Sequence, residues 1–178
     1  MKTFVGQVLL GVGLLLAAIC AQAQDANAYT LGSGDVVSIH VFDEPELTIE
    51  KATINDSGKI QFAFGIEVQA IGRTVAQVQQ AITSALTPDY LIDPRVTVSI
   101  IEYRPFFLAG EVMKPGSYEF KPGLTLRQAI TIAGGFTDRA STSKMSVIPV
   151  GKTQQPEKAD MNYLIKPGDT ITIGESFF

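Results

Sequence analysis

The chain has 178 residues, long enough for one domain or two small ones, with 14 Lys and Arg against 18 Asp and Glu. A net charge of −4 with no basic run argues against nucleic-acid binding, which needs clustered cations to displace counterions. One Cys excludes an internal disulfide framework and any multi-cysteine metal site, and a single His removes a His-rich zinc site.

Phe4 to Ile19 form an apolar stretch behind the charged Lys2, and Ala21-Gln22-Ala23 then supplies small residues at the cleavage spacing. This is a secretory signal peptide over residues 1–23, cut between Ala23 and Gln24, with Ala26-Asn27-Ala28 as a second possible cut. An uncleaved membrane anchor is the alternative, since the stretch is near the lower spanning length. Cys20 raises lipidation, but the bulky Ile19 before it fits a lipoprotein signal poorly. Removing the leader takes away only Lys2 among the charged residues, so the exported chain is at −5 and lacks Cys.

Leu31-Gly32-Ser33-Gly34-Asp35 leads into a strand with Val37, Ile39 and Val41 on one face. Asp56-Ser57-Gly58-Lys59 is a turn between strand-like segments, followed by Ile60-Gln61-Phe62 and Ile66-Glu67-Val68. Thr74 and Gln77 have the capping-box spacing and open a helix whose face is Val75, Val78, Ile82 and Leu86, ended by Pro88. Arg95 to Ile101 alternates as a strand. The plan then repeats. Phe106 to Val112 and Ser117 to Phe120 read as strands around a Lys114-Pro115-Gly116 turn.

Gly123-Leu124-Thr125-Leu126-Arg127-Gln128 repeats the earlier Gly-x-Thr-apolar-x-Gln helix start. Leu126, Ile130 and Ala133 make its buried face, and Gly134-Gly135 stop it in the left-handed conformation. Met145 to Val150 follows as a strand. Lys166-Pro167-Gly168-Asp169 then launches a last strand ending at Ile173 and echoes the opening motif. The expected class is α+β, built as two small ββαβ-like modules, with Asp138 to Ser143 and Gly151 to Lys158 as polar, mobile loops.

Gly32-x-Gly34 is not a dinucleotide loop, because a strand and not a helix follows it. Asp35 and Asp169 are expected to accept bonds from nearby backbone N–H groups. Asp43, Glu44 and Glu46 could supply calcium oxygens, with a solvated loop as the favoured reading. No two carboxylates stand out as a glycosidase pair, and His40 has no Ser or Cys partner motif, so it reads as a surface or interface residue. No catalytic constellation and no cofactor motif is visible, and the chain does not read as an enzyme.

Tyr29 to Val37 and Phe42-Asp43-Glu44-Pro45-Glu46-Leu47-Thr48 resemble the opening of the polysaccharide export domain of Wza-type outer-membrane export proteins. Tyr90-Leu91-Ile92-Asp93-Pro94-Arg95-Val96-Thr97-Val98 resembles that domain's closing motif. Gly110-Glu111-Val112, Lys114-Pro115-Gly116-Ser117-Tyr118 and Ala133-Gly134-Gly135-Phe136-Thr137 are similar to the soluble-ligand-binding β-grasp (SLBB) module that follows it. Four motifs in the correct order make the resemblance specific. It implies an export domain over residues 24–103 and an SLBB β-grasp domain over 104–178 with a short tail.

The resemblance further implies a subunit of a periplasmic ring, associated with the outer membrane, that passes capsular or exopolysaccharide outward. Its implied partners are copies of itself, an inner-membrane polysaccharide co-polymerase, and a separate outer-membrane β-barrel or a longer partner ring. The family motif residues Gly32, Gly34, Asp35, Asp93, Pro94, Gly110, Pro115, Gly116, Gly134 and Gly135 are implied to be structural. Five residues after Ile173 are too few to span a bilayer, so the chain is expected to dock onto its barrel, with Phe177 and Phe178 as docking residues or else tucked against their own module. A soluble periplasmic carbohydrate-binding or scaffold protein is the main rival, and a glycan-modifying enzyme the third reading.

Overall fold

The computed structural model describes residues 29–151 and 155–176. The leader, Cys20, the Ala23–Gln24 cleavage pair and the Phe177–Phe178 tail lie outside the described residues.

The first half begins with β1 (Val36–Val41), whose alternation buries Val37, Ile39 and Val41 almost completely. Each such side chain contributes about 1.5–3 kcal/mol through removal from water. β1 is central to a three-stranded antiparallel sheet, between β2 (Ile49–Thr53) and β5 (Val96–Glu102). A separate hairpin pairs β3 (Lys59–Gln61) with β4 (Glu67–Gln69). Helix α1 (Val75–Leu86) lies against β4 and β5 and buries Val78, Ile82 and Leu86, while Val75 is half-buried. Its first turn carries the expected capping box: the Gln77 N–H donates to Thr74 Oγ1, and the Thr74 N–H donates to Gln77 Oε1 at 2.9 Å.

In the second half, β6 (Phe106–Gly110), β7 (Gly116–Tyr118), β8 (Ala140–Ile148), β9 (Glu157–Lys158) and β10 (Thr170–Glu175) form one sheet in the order β7-β6-β10-β8-β9. The last strand inserts between β6, to which it is parallel, and β8, to which it is antiparallel. Helix α2 (Leu126–Ile132) covers this sheet through Leu126, Ala129 and Ile130, over a core that includes Phe106, Leu108, Ile171 and Ile173. It starts with the second capping box, Thr125 with Gln128, and stops at Gly134 and Gly135, whose φ values are 88° and 95°. An antiparallel sheet and a mixed sheet, with one helix against each, give the α+β class that the hydrophobic periods predict.

Three expectations are corrected. Residues 140–143, expected in a loop, begin β8: Ala140 pairs with Glu175, and the Ser176 N–H donates to the Arg139 carbonyl at 2.7 Å. Backbone pairing holds this polar stretch, which no apolar alternation marks. Glu157 and Lys158, also expected in a loop, pair with Val147 and Ser146 as β9. Gly174 and Glu175, expected in the tail, belong to β10.

Candidate functional site

The motif residues converge on two turns of the same construction. In the first, the Gly32 N–H donates to Asp35 Oδ2 at 2.8 Å, while the Asp35 N–H returns to the Gly32 carbonyl. In the second, the Lys166 N–H donates to Asp169 Oδ2 at 2.9 Å, and the Asp169 N–H returns to the Lys166 carbonyl. The glycine before each aspartate, Gly34 and Gly168, has φ of 89° and 86°. Each Gly-Asp pair is thus a turn that an L side chain would strain, closed by a buried carboxylate.

Arg104 lies between these turns. Its backbone N–H donates to Asp35 Oδ1 at 2.7 Å, its Nη1 pairs with Asp35 Oδ2 at 3.3 Å, and its Nε donates to the Pro167 carbonyl at 3.1 Å. The Asp35 side chain is fully buried and that of Arg104 is 16% exposed. A Cβ on Gly32 would overlap the guanidinium, and one on Gly168 would crowd it and Val150. The two glycines therefore leave the space that the arginine fills. Sequence reading found both turns and the bonding of both aspartates but missed Arg104. Its signal was a cation beside Pro105, at the junction of the two repeats.

Asp169 is buried as well, and Tyr163 donates its hydroxyl to Oδ2 at 2.9 Å. Its Oδ1 is buried without a hydrogen-bond partner among the described residues. Desolvation raises the Asp169 carboxyl above its ordinary value, against the opposing bonds from Lys166 and Tyr163. Burial, and then the bond to Asp169, hold the Tyr163 phenol well above the tyrosine range.

The other motif residues form two further junctions. Gly110 has φ of 81° and runs so close to β10 that a Cβ would overlap the Ile173 carbonyl oxygen. Just beyond it, the Met113 N–H donates to the Gly135 carbonyl and the Lys114 N–H to the Ala133 carbonyl, which docks the Pro115–Gly116 turn onto the end of α2. Tyr118 donates its hydroxyl to the Lys114 carbonyl. The Thr137 hydroxyl donates to Glu111, which also pairs with Arg139 at 3.3 Å.

At the other end of the molecule's first sheet, the Phe42 N–H donates to the Arg95 carbonyl and the Arg95 guanidinium stands 4.2 Å over the Phe42 ring. Pro94 is buried and Asp93 exposed beside them. Tyr90 stacks on Phe64 with centroids 4.4 Å apart, an exposed aromatic pair not anticipated from sequence. The signal was there, since Tyr90 opens the closing motif and Phe64 sits in an aromatic turn.

Asp43 and Glu44 precede a short turn at Pro45–Leu47 that contains Glu46 and in which Leu47 is the buried residue. Among the described residues no three His, Cys, Asp or Glu side chains gather as metal ligands. His40 is exposed, with Nδ1 3.4 Å from the Thr48 hydroxyl. The Asp35, Arg104 and Asp169 side chains are thus turned on one another and on the turn amides rather than outward. A cleft of about 560 Å³ open to solvent lies elsewhere, beside α2.

Comparison with known proteins agrees with this arrangement of two modules. A family model described as "Polysaccharide biosynthesis/export protein" matches residues 23–101, and one for the SLBB domain matches residues 105–158. The chain is 30% identical over 153 residues to the "EPS I polysaccharide export outer membrane protein EpsA" of Ralstonia solanacearum, an alignment covering 71% of this chain and 40% of that protein. It is 31% identical over 137 residues to the "Exopolysaccharide production protein ExoF" of Rhizobium meliloti (strain 1021), covering 68% of this chain and 32% of that protein. The chain thus spans less than half the length of these relatives. No helix among the described residues is long and apolar enough to cross a membrane.

Proposed function

This chain belongs to the Wza-type polysaccharide export family, and we propose that it is a subunit of an oligomeric periplasmic channel that delivers capsular or exopolysaccharide to the outer membrane. The observation that carries this reading is the uninterrupted order of export domain and SLBB domain. The names of both relatives, one an outer-membrane export protein and one an exopolysaccharide production protein, support it.

In this reading residues 1–23 are the signal peptide, 24–103 the export domain and 104–178 the SLBB domain with its tail. A conduit for a polymer needs many weak contacts along its wall and no tight site, since tight binding would stall passage. Head-to-tail contacts whose rotation closes would form the ring. Gly32, Gly34, Asp35, Asp93, Pro94, Gly110, Pro115, Gly116, Gly134 and Gly135 serve the turns that set the shape of the subunit. The co-polymerase would meet the ring from the inner membrane, and Phe177 and Phe178 would dock a separate outer-membrane β-barrel.

The test is deletion of the gene, with polymer quantified outside the cell, in the periplasm and in the cytoplasm. Export predicts loss of outside polymer, restored by the intact gene. A chain ending after Ser176, which leaves β10 whole, should restore less if the two phenylalanines dock a partner. Normal secretion in the deletion strain, with no second copy of the gene, would overturn the reading and leave the carbohydrate-binding rival.

A further inference from the structure

The cleft beside α2 is lined by Lys121, Pro122, Leu124, Arg127, Gln128 and Thr131, with Gly123 and Ile132 completing it. Its volume of about 560 Å³ lies within the range of small-molecule sites, about 300–1,000 Å³. Its lining side chains offer donors from Lys121, Arg127 and Gln128, while the Thr131 hydroxyl, which already donates to the Arg127 carbonyl, offers an acceptor. Gln128 Oε1 is occupied by the capping box, so its amide NH₂ is what remains for a ligand. Lys121 and Arg127 add an ammonium and a guanidinium, and among the described residues neither has a carboxylate within 4 Å. Pro122, Leu124 and Ile132 provide an apolar floor, and Ile132 is 58% exposed on it.

Two cations without a carboxylate partner among the described residues, beside an amide donor and an apolar surface, suit a saccharide that carries a carboxylate. A pyranose presents aliphatic C–H groups on its face and oxygens at its rim, and an acidic one adds a carboxylate. We propose that this cleft is a contact site for acidic saccharide units, those bearing a uronate or similar carboxylate, with Lys121 and Arg127 binding the carboxylate. Arg127 has the planar fork that takes a carboxylate through two bonds, and Lys121 acts as a mobile point charge. The proposal rests on the export reading for its biological setting. It deepens that reading by naming the class of polymer and the residues that touch it. The exported chain at −5 carries a net charge of the same sign as such a polymer, so a local cationic site would supply attraction against that repulsion.

The test is a titration of the isotope-labelled exported chain, followed by amide NMR, with two probes of equal length: an oligogalacturonate and a neutral malto-oligosaccharide. The acidic probe should shift the amides of Lys121, Gly123, Leu124 and Arg127 to Ile132, with a Kd of about 1 mM, as a weak conduit contact requires. The neutral probe should shift them far less. Replacing both cations, Lys121→Gln with Arg127→Gln, should weaken acidic binding about tenfold or more. Both side chains are exposed, so thermal unfolding of this variant should match the parent.

Equal binding of the two probes, shifts confined to another face, or unchanged binding by the double variant would overturn the assignment. The same variant is then used to complement the deletion strain. If secretion needs the chain but the titration fails, only the acidic-saccharide site falls. If the chain is dispensable for secretion, the export reading falls instead, whatever the titration shows.

Discussion

Asp35 is a carboxylate with no exposure, and it is tolerated because donors surround it, among them the N–H groups of Gly32 and Arg104 and the Arg104 guanidinium. Arg104→Ala would take the guanidinium away from that buried charge, and should cost about 3 kcal/mol in urea unfolding. Arg104→Lys should recover part of this, since it retains charge but not the fork that also reaches Pro167. Gly110→Ala should be comparably damaging, at about 2–3 kcal/mol, because the obstacle is the Ile173 backbone carbonyl, which cannot rotate away. A fall in thermal midpoint with unchanged far-UV signal below the transition would fit both cases.

Asp169 makes a separate prediction about pH. Its folded carboxyl is raised above the unfolded value by burial, so the native state binds the proton more readily. That contribution is fully present below the unfolded value and is lost as pH rises through the folded one. Relative to an Asp169→Asn variant, the parent should therefore gain stability as pH falls from neutrality through the carboxylate range. Urea midpoints of the pair measured across that range check it. A parent that instead loses ground to the variant on acidification would show that the bonds from Lys166 and Tyr163 outweigh burial.

Elements were legible where a local pattern and its tertiary use coincide. The two capping boxes, the α1 stripe of Val78, Ile82 and Leu86, and the β1 alternation each follow from spacings of two, three and four residues. Each helix start is then open to a direct check: Thr74→Ala and Thr125→Ala should each cost about 1 kcal/mol of unfolding free energy. Thr125 should be the more sensitive in local hydrogen exchange, because α2 has only 7 residues over which to recover a frayed turn.

What the sequence concealed was long-range. Ala140 to Ser143 carries no hydrophobic period, and only the late-arriving β10 makes it a strand. Arg104 is adjacent to neither aspartate turn in the chain, since 69 positions separate it from Asp35 and 63 from Pro167. The cleft was hidden for the same kind of reason. Lys121 and Arg127 are ordinary surface cations until the loop before α2 folds beside the helix face.

Over the whole molecule, the position of β10 decides how the chain's end can be probed. The strand is the last to be made, yet it sits between β6 and β8 in the middle of its sheet. Ending the chain before Gly174 would remove the Glu175 pairing with Ala140, the Arg139–Glu175 ion pair at 3.3 Å, and the Lys144 bond to the Glu175 carbonyl at 3.0 Å. It would also remove the Ser176 bond to Arg139. At about 1 kcal/mol for each backbone bond and little for the exposed ion pair, the loss should be about 2 kcal/mol. Ending it after Ser176 should leave stability to unfolding unchanged if Phe177 and Phe178 dock a partner, and lower it if they tuck against their own module. Lost export from the first truncation therefore reports on the sheet, and lost export from the second at unchanged stability reports on a partner for Phe177 and Phe178. If both chains unfold like the parent, the end of β10 is not part of the cooperative unit; hydrogen exchange at Ala140 to Ser143 would then be fast in all three.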